Sequence, residues 1–222
     1  MTTIPSLHDA NRHCPARRGP GSLARIALIA SVLLAAACTG LQPAPVPSPD
    51  LHVLQATPAV TAAPARRDLV LEVSVPRAWP GFDTPQMAYV QKPYALDYFA
   101  NSRWADAPAH MVGPLLARAL EQSGSFRAVV QTPSGVPADL RLTGELIRLQ
   151  QNFATRPPQV ELALRAQLVD VRSRRVLATA EFEEVEATPR EDAYGGVVAA
   201  NRALQRLLAR LADFAAEQSG GR

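Results

Sequence analysis

The sequence predicts an α+β domain: a mostly antiparallel sheet with two helices packed on one face, preceded by a signal peptide and a Pro-rich tether. Three observations carry this. Gln159–Asp170 and Arg175–Glu186 alternate apolar and polar residues with period two around a short polar turn, the pattern of an antiparallel hairpin with one wet face. Two other stretches, after Asp106 and after Thr188, place apolar residues three and four apart, the pattern of helices with one buried stripe. The 222 residues, 47% of them hydrophobic and 19% charged, give enough material for one core and exclude wholesale disorder.

Residues 1–37 have the order of an export signal. Arg17, Arg18 and Arg25 precede Ile26–Ala37, whose only polar side chain is Ser31. As a helix this run measures roughly 18 Å, against a hydrocarbon core of about 30 Å, so it suits a signal peptide better than a membrane span. Arg12, Arg17, Arg18 and Arg25, set against Asp9, account for the whole formal charge of +3. The rest of the chain is neutral, and with no basic excess to capture phosphates, nucleic-acid binding is dropped first.

Two outcomes fit the end of the leader. Ala35-x-Ala37 is a small-residue site for ordinary secretion. Leu33-Leu34-Ala35-Ala36-Ala37-Cys38 also resembles a bacterial lipobox, which implies a diacylated Cys38 as mature N-terminus. Thr39 follows, where the inner-membrane retention signal of such lipoproteins is Asp, so the resemblance implies outer-membrane sorting, lipid-anchored on the periplasmic face. Cys14 leaves with the leader. Cys38 then stands alone, and no intrachain disulfide can form.

Residues 38–67 are the expected tether: Pro43, Pro45, Pro47, Pro49, Pro58 and Pro64 favour an extended spacer of about 3.1 Å per residue. Leu51–Ala56 is expected to interrupt it as a short strand. The folded domain is expected over 68–217, with 218–222 a disordered tail. Asp68–Pro76 alternates Leu69, Leu71, Val73 and Val75 and stops at proline; Met87–Val90 and Tyr94–Phe99 are further extended pieces. Asp106 has the chemistry of a helix N-cap, Pro108 lies in the first turn, and Gly124 ends the run. Pro114 within it predicts a kink or a late start.

Phe126–Gln131 and Asp139–Gln150 are the next strands. In the hairpin that follows, Val160, Leu162, Leu164, Ala166 and Leu168 face inward, and so, in its second strand, do Val176, Ala178, Ala180 and Phe182. Thr188-Pro189-Arg190-Glu191 spells a capping box, while Gly195-Gly196 predicts ordered helix only from about Val197.

Chemistry-bearing constellations are sparse. His52 and His110 are isolated, and no metal-ligand spacing, nucleophile elbow or phosphate loop occurs. The sequence therefore predicts no enzyme, no catalytic residue, no metal and no cofactor. Glu181, Glu183, Glu184 and Glu186 suit a solvated strand end, and Arg172, Arg174 and Arg175 a soluble turn. One segment stands out, Tyr94–Pro108 (YALDYFANSRWADAP), which concentrates aromatic residues in a chain only 5% aromatic. Its bland reading is a strand-to-helix corner with Trp104 in the core and Arg103 in water. Its functional reading is a partner-binding patch of Tyr98, Phe99, Arg103 and Trp104, because aromatic residues beside arginine dominate protein interfaces.

The same segment resembles a known family. The aromatic strand followed by Arg103-Trp104-Ala105-Asp106 and a helix ending Leu120-Glu121-Gln122-Ser123-Gly124 is similar to the ABC-type transport auxiliary lipoproteins, and Phe82–Tyr89 and His52-Val53-Leu54 fit the same pattern. The resemblance covers nearly all of residues 50–215. It implies an accessory lipoprotein of an MCE (mammalian cell entry) intermembrane lipid-transport system, including the paraquat-inducible type. Partners would be the MCE-domain substrate-binding protein and, through it, an ABC permease and ATPase; a homo-oligomer is left open. The rival expectation is a chaperone or pilotin lipoprotein for an outer-membrane β-barrel or secretin. Direct lipid binding between helix and sheet is a third.

Overall fold

In the computed structural model the described residues are Gly21, 48–57 and 66–220. The expected signal peptide, Cys38 and most of the expected tether lie outside them.

The sheet is organised along one long strand. In chain order the elements are β1 (Asp50–His52), β2 (Arg67–Val73), β3 (Arg77–Ala78), β4 (Gln86–Val90), β5 (Leu96–Trp104), α1 (Pro108–Gln122), β6 (Phe126–Gln131), β7 (Leu140–Asn152), β8 (Gln159–Asp170), β9 (Arg175–Ala187) and α2 (Ala193–Gln218). On one side β7 pairs antiparallel with β8 along its whole length, and β8 pairs likewise with β9. Its other side is shared, in order, by β2 at Leu140–Leu142, β3 at Glu145–Leu146 and β4 at Gln150–Asn152, all parallel to it. Where Pro76 and the Trp79–Pro85 loop break the covering strand, single bonds continue the ladder: Ser74 N donates to Leu142 O and Trp79 N to Leu146 O. Outside β2 runs β6, parallel; outside β4 runs β5, antiparallel, and β1 closes that edge parallel to β5. The sheet is thus mixed, with its long pairings antiparallel.

Both helices cover one face. Leu71, Leu116, Leu140, Leu146, Leu164, Leu204 and Leu208 are wholly buried between them and the sheet. Each such side chain contributes about 1.5–3 kcal/mol relative to exposure. The domain starts before residue 68: β1 is part of the sheet, and Leu54 and Ala56 lie in the core. It also ends later than expected, since α2 reaches Gln218 and Ser219 is buried.

Five local expectations are corrected. The N-cap of α1 is Ala107, not Asp106, whose Oδ1 instead accepts from Ala107 N at 2.7 Å. The helix then runs unbroken from Pro108 through Pro114, which costs least there because Pro114 sits on the exposed side. The cap of α2 is Asp192, whose Oδ1 accepts from Gly195 N at 2.7 Å; Thr188 instead ties down the end of β9, its hydroxyl donating to Pro158 O at 3.0 Å. Gly195 and Gly196 are helical because space demands them: a Cβ on Gly195 would lie 2.1 Å from Arg190 O, and one on Gly196 2.4 Å from Gln151 Oε1. Finally, Val176 is exposed. A bulge lets Leu168 pair with Ala178 but Val169 with Val176, which turns the start of β9 over by one residue.

Candidate partner-binding site

β5 carries the four predicted contact residues but does not gather them into one patch. Its period of two sends neighbouring side chains to opposite faces, and a register shift between Tyr98 and Arg103 changes the phase before Trp104. Tyr98 lies across from Ala88 on the face away from the helices, where its hydroxyl donates to Gly81 O at 3.0 Å and pins the β3–β4 loop. Phe99 turns to the helix side, its ring centroid 4.8 Å from Tyr89 and 6.2 Å from Phe153. Trp104 is 4% exposed and its ring belongs to the core, while its backbone N–H donates to Pro85 O at 2.7 Å. Arg103 alone of the four is fully solvent-facing. The strand-to-helix corner accounts for Trp104 and Arg103 as the sequence allowed, and a contact surface here would consist of Arg103 with the half-buried edges of Tyr98 and Phe99.

The acidic cluster on β9 is divided between the two faces of the strand, and neither half is a bare solvated end. Glu184 and Glu186 face α2. Arg206 bonds both, Nε to Glu184 at 2.8 Å and Nη1 to Glu186 at 2.8 Å, while Arg210 Nη1 reaches Glu184 at 2.8 Å. Burial pushes the Glu184 carboxyl up, but the two guanidinium groups outweigh it and hold the pKa below its ordinary value; the same pairing raises that of Arg206. Arg206 and Arg210 also donate to the outward carbonyls of Val185 and Glu183, which covers part of an otherwise open sheet edge. On the other face, Arg77, Glu145, Arg165 and Glu181 alternate in sign across β3, β7, β8 and β9. These are loose, exposed pairs of small individual worth.

Among the described residues no group of His, Cys, Asp and Glu is placed to hold a metal ion. His110 Nδ1 lies 3.3 Å from Asp106 Oδ1, and the Asp106 carboxyl is held low first by the Ala107 N–H and then by His110. His52, at the β1 edge, packs 6.2 Å from the Tyr194 ring. The pocket framed by Met87, Phe99, Trp104, Gln151 and Ala200, between sheet and α2, holds only about 10 Å³, too little for more than one water. The roomier concavity, about 380 Å³, is on the polar face beside Arg77, Glu145 and Arg165 and opens to solvent. No helix among the described residues is long and apolar enough to cross a membrane.

Residues 52–214 match the family model of the ABC-type transport auxiliary lipoprotein component. The chain belongs to this family. The match starts within β1 and ends in the last turns of α2, so it spans the folded body from edge strand to closing helix. Two solved structures share the fold. Protein XCC0632 from Xanthomonas campestris is 23% identical, with a TM-score of 0.70 over 77% of this chain and 97% of that one. The hypothetical protein CT253 from Chlamydia trachomatis is 10% identical, with a TM-score of 0.51 over 70% of this chain and 100% of that one. No curated protein matches the sequence.

Sequence reasoning passed over Arg206 and Arg210, although their four-residue spacing on one helix face opposite the glutamates was a readable signal. It also passed over Tyr94 as a surface residue. That side chain is fully exposed at the tip of the β4–β5 hairpin, and its φ of 65° is not written in the sequence.

Proposed function

We propose that this auxiliary lipoprotein is anchored through an acylated Cys38 to the periplasmic face of the outer membrane and serves an MCE-type lipid-transport system by docking. The observation that carries the reading is the extent of the family match: it covers the packed body and leaves outside it the expected leader, Cys38 and the Pro-rich stretch up to Leu51. The tightly filled space between sheet and helices supports a docking body rather than a lipid carrier. The anchor confines the domain near the membrane, so a modest affinity for the MCE-domain protein, and through it for permease and ATPase, is enough for stable engagement. Neither catalysis nor a cofactor enters this role.

The test is affinity isolation of the tagged, full-length chain from detergent-solubilised envelopes. Recovery of an MCE-domain protein with its permease and ATPase is the expected outcome. Recovery of an outer-membrane β-barrel or secretin in their place decides for the chaperone or pilotin role.

A further inference from the structure

We propose that the β4–β5 hairpin tip, with the β7–β8 turn beside it, rests on the anionic lipid surface to which Cys38 is attached. The inference rests on the Cys38 anchor proposed above. It starts from Tyr94, which is completely exposed in the left-handed region of backbone space, where asparagine or glycine is the ordinary choice and a bulky aromatic is costly. Turn geometry therefore does not explain a tyrosine here, and no packing does. Leu96, next in the hairpin, is 37% exposed. A tyrosine beside aliphatic and basic residues is the composition of a membrane–water interface.

Strand pairing places the second turn at the same end. β4 runs parallel to β7, and their last residues, Val90 and Asn152, are partners, so Gln91–Ala95 and Phe153–Pro158 emerge side by side. These two loops contain Lys92 and Arg156, both exposed, and no acidic residue, which suits an anionic lipid surface. The Arg-rich turn between β8 and β9 lies at the opposite end of the sheet and has no aromatic residue.

The direction of β1 selects lipid as the occupant. β1 is parallel to β5, Asp50 pairing with Ser102, so it enters the sheet from the end where β5 begins, which is the end of the hairpin tip. From Ser102 back to Leu96 is about 20 Å of strand. The chain between Cys38 and Asp50 spans about 37 Å when extended. That contour length exceeds the distance from the start of β1 to the tip, so the tether is long enough for anchor and tip to meet one surface.

The full-length lipidated protein is reconstituted in vesicles of phosphatidylethanolamine and phosphatidylglycerol carrying brominated acyl chains. A tryptophan is introduced by Tyr94→Trp, or by Lys92→Trp should the first variant fold poorly, and at the opposite end by Ser173→Trp. The added emission at the tip is expected to fall at least twofold relative to unbrominated vesicles, while that at position 173 stays unchanged. Vesicle retention with tip emission quenched no more than at 173 overturns the inference alone and leaves the tip for a protein partner. Failure of the protein to stay with the vesicles removes the Cys38 anchor and this inference with it.

Discussion

Gly196→Ala reverses the sign that helix propensity alone assigns to it. In an exposed helix the change stabilises by about 1 kcal/mol. Here the new Cβ would lie 2.4 Å from Gln151 Oε1 and 3.1 Å from Cδ, and Gln151 is 3% exposed, with only the pocket of about 10 Å³ beside it to withdraw into. Relief requires Gln151 to move, which breaks the bond from its Nε2 to Asp192 O (3.3 Å) at the start of α2. Overpacking costs about 1–3 kcal/mol and the lost bond about 1 kcal/mol. The balance is a net loss of about 2 kcal/mol, or roughly 4–8 °C in Tm for a domain of this size. Urea and thermal unfolding of the purified protein measure it. In a Gln151→Ala background the obstacle is gone, and the same Gly196→Ala change should recover the stabilisation of about 1 kcal/mol. A Gly196→Ala protein as stable as the parent, or more so, refutes the argument that close approach of α2 to the sheet selects this glycine.

Trp104→Ala is expected to destabilise by about 3–5 kcal/mol, since its ring is part of the core, whereas neighbouring Arg103→Ala should stay within about 0.5 kcal/mol; equal effects in unfolding experiments would misplace both side chains. Glu184→Gln should cost about 1–2 kcal/mol near neutral pH, an amount kept small because its arginine partners are half exposed. Because the folded-state pKa of Glu184 lies below its ordinary value of 4.5, this contribution is present above that value and is lost as pH falls through the folded pKa. The Tm gap between parent and variant should therefore close on acidification, and a gap that widens contradicts the assignment.

The sequence made the long hairpin of β8 and β9 legible because an antiparallel pair with one wet face writes its register as alternation. Its failure at Val176 has a local cause: a single bulge shifts the phase without changing composition. The parallel neighbours of β7 were not legible. β2, β3 and β4 are short, separated in sequence and brought to one edge by tertiary packing, so no periodicity announces their order. Helix starts differ from expectation where a capping side chain lies short of the helix: α1 follows Ala107, which makes no side-chain cap, and α2 follows Asp192. Asp106 and Thr188 have capping side chains, yet both are engaged elsewhere, and three-dimensional neighbours decide which residue caps. For the candidate site, the aromatic clustering in Tyr94–Pro108 was legible, but the faces to which its side chains turn were not. Trp104 turned inward with the core, and the exposed aromatic is Tyr94, whose position depends on a turn conformation.

The account depends most on Cys38. The intact mass and N-terminal peptide of the mature chain, taken from the membrane fraction, test it directly. The expected result is a chain beginning at Cys38 and carrying a thioether-linked diacylglycerol. A mature chain with a free Cys38 thiol, recovered from the soluble periplasm, contradicts it.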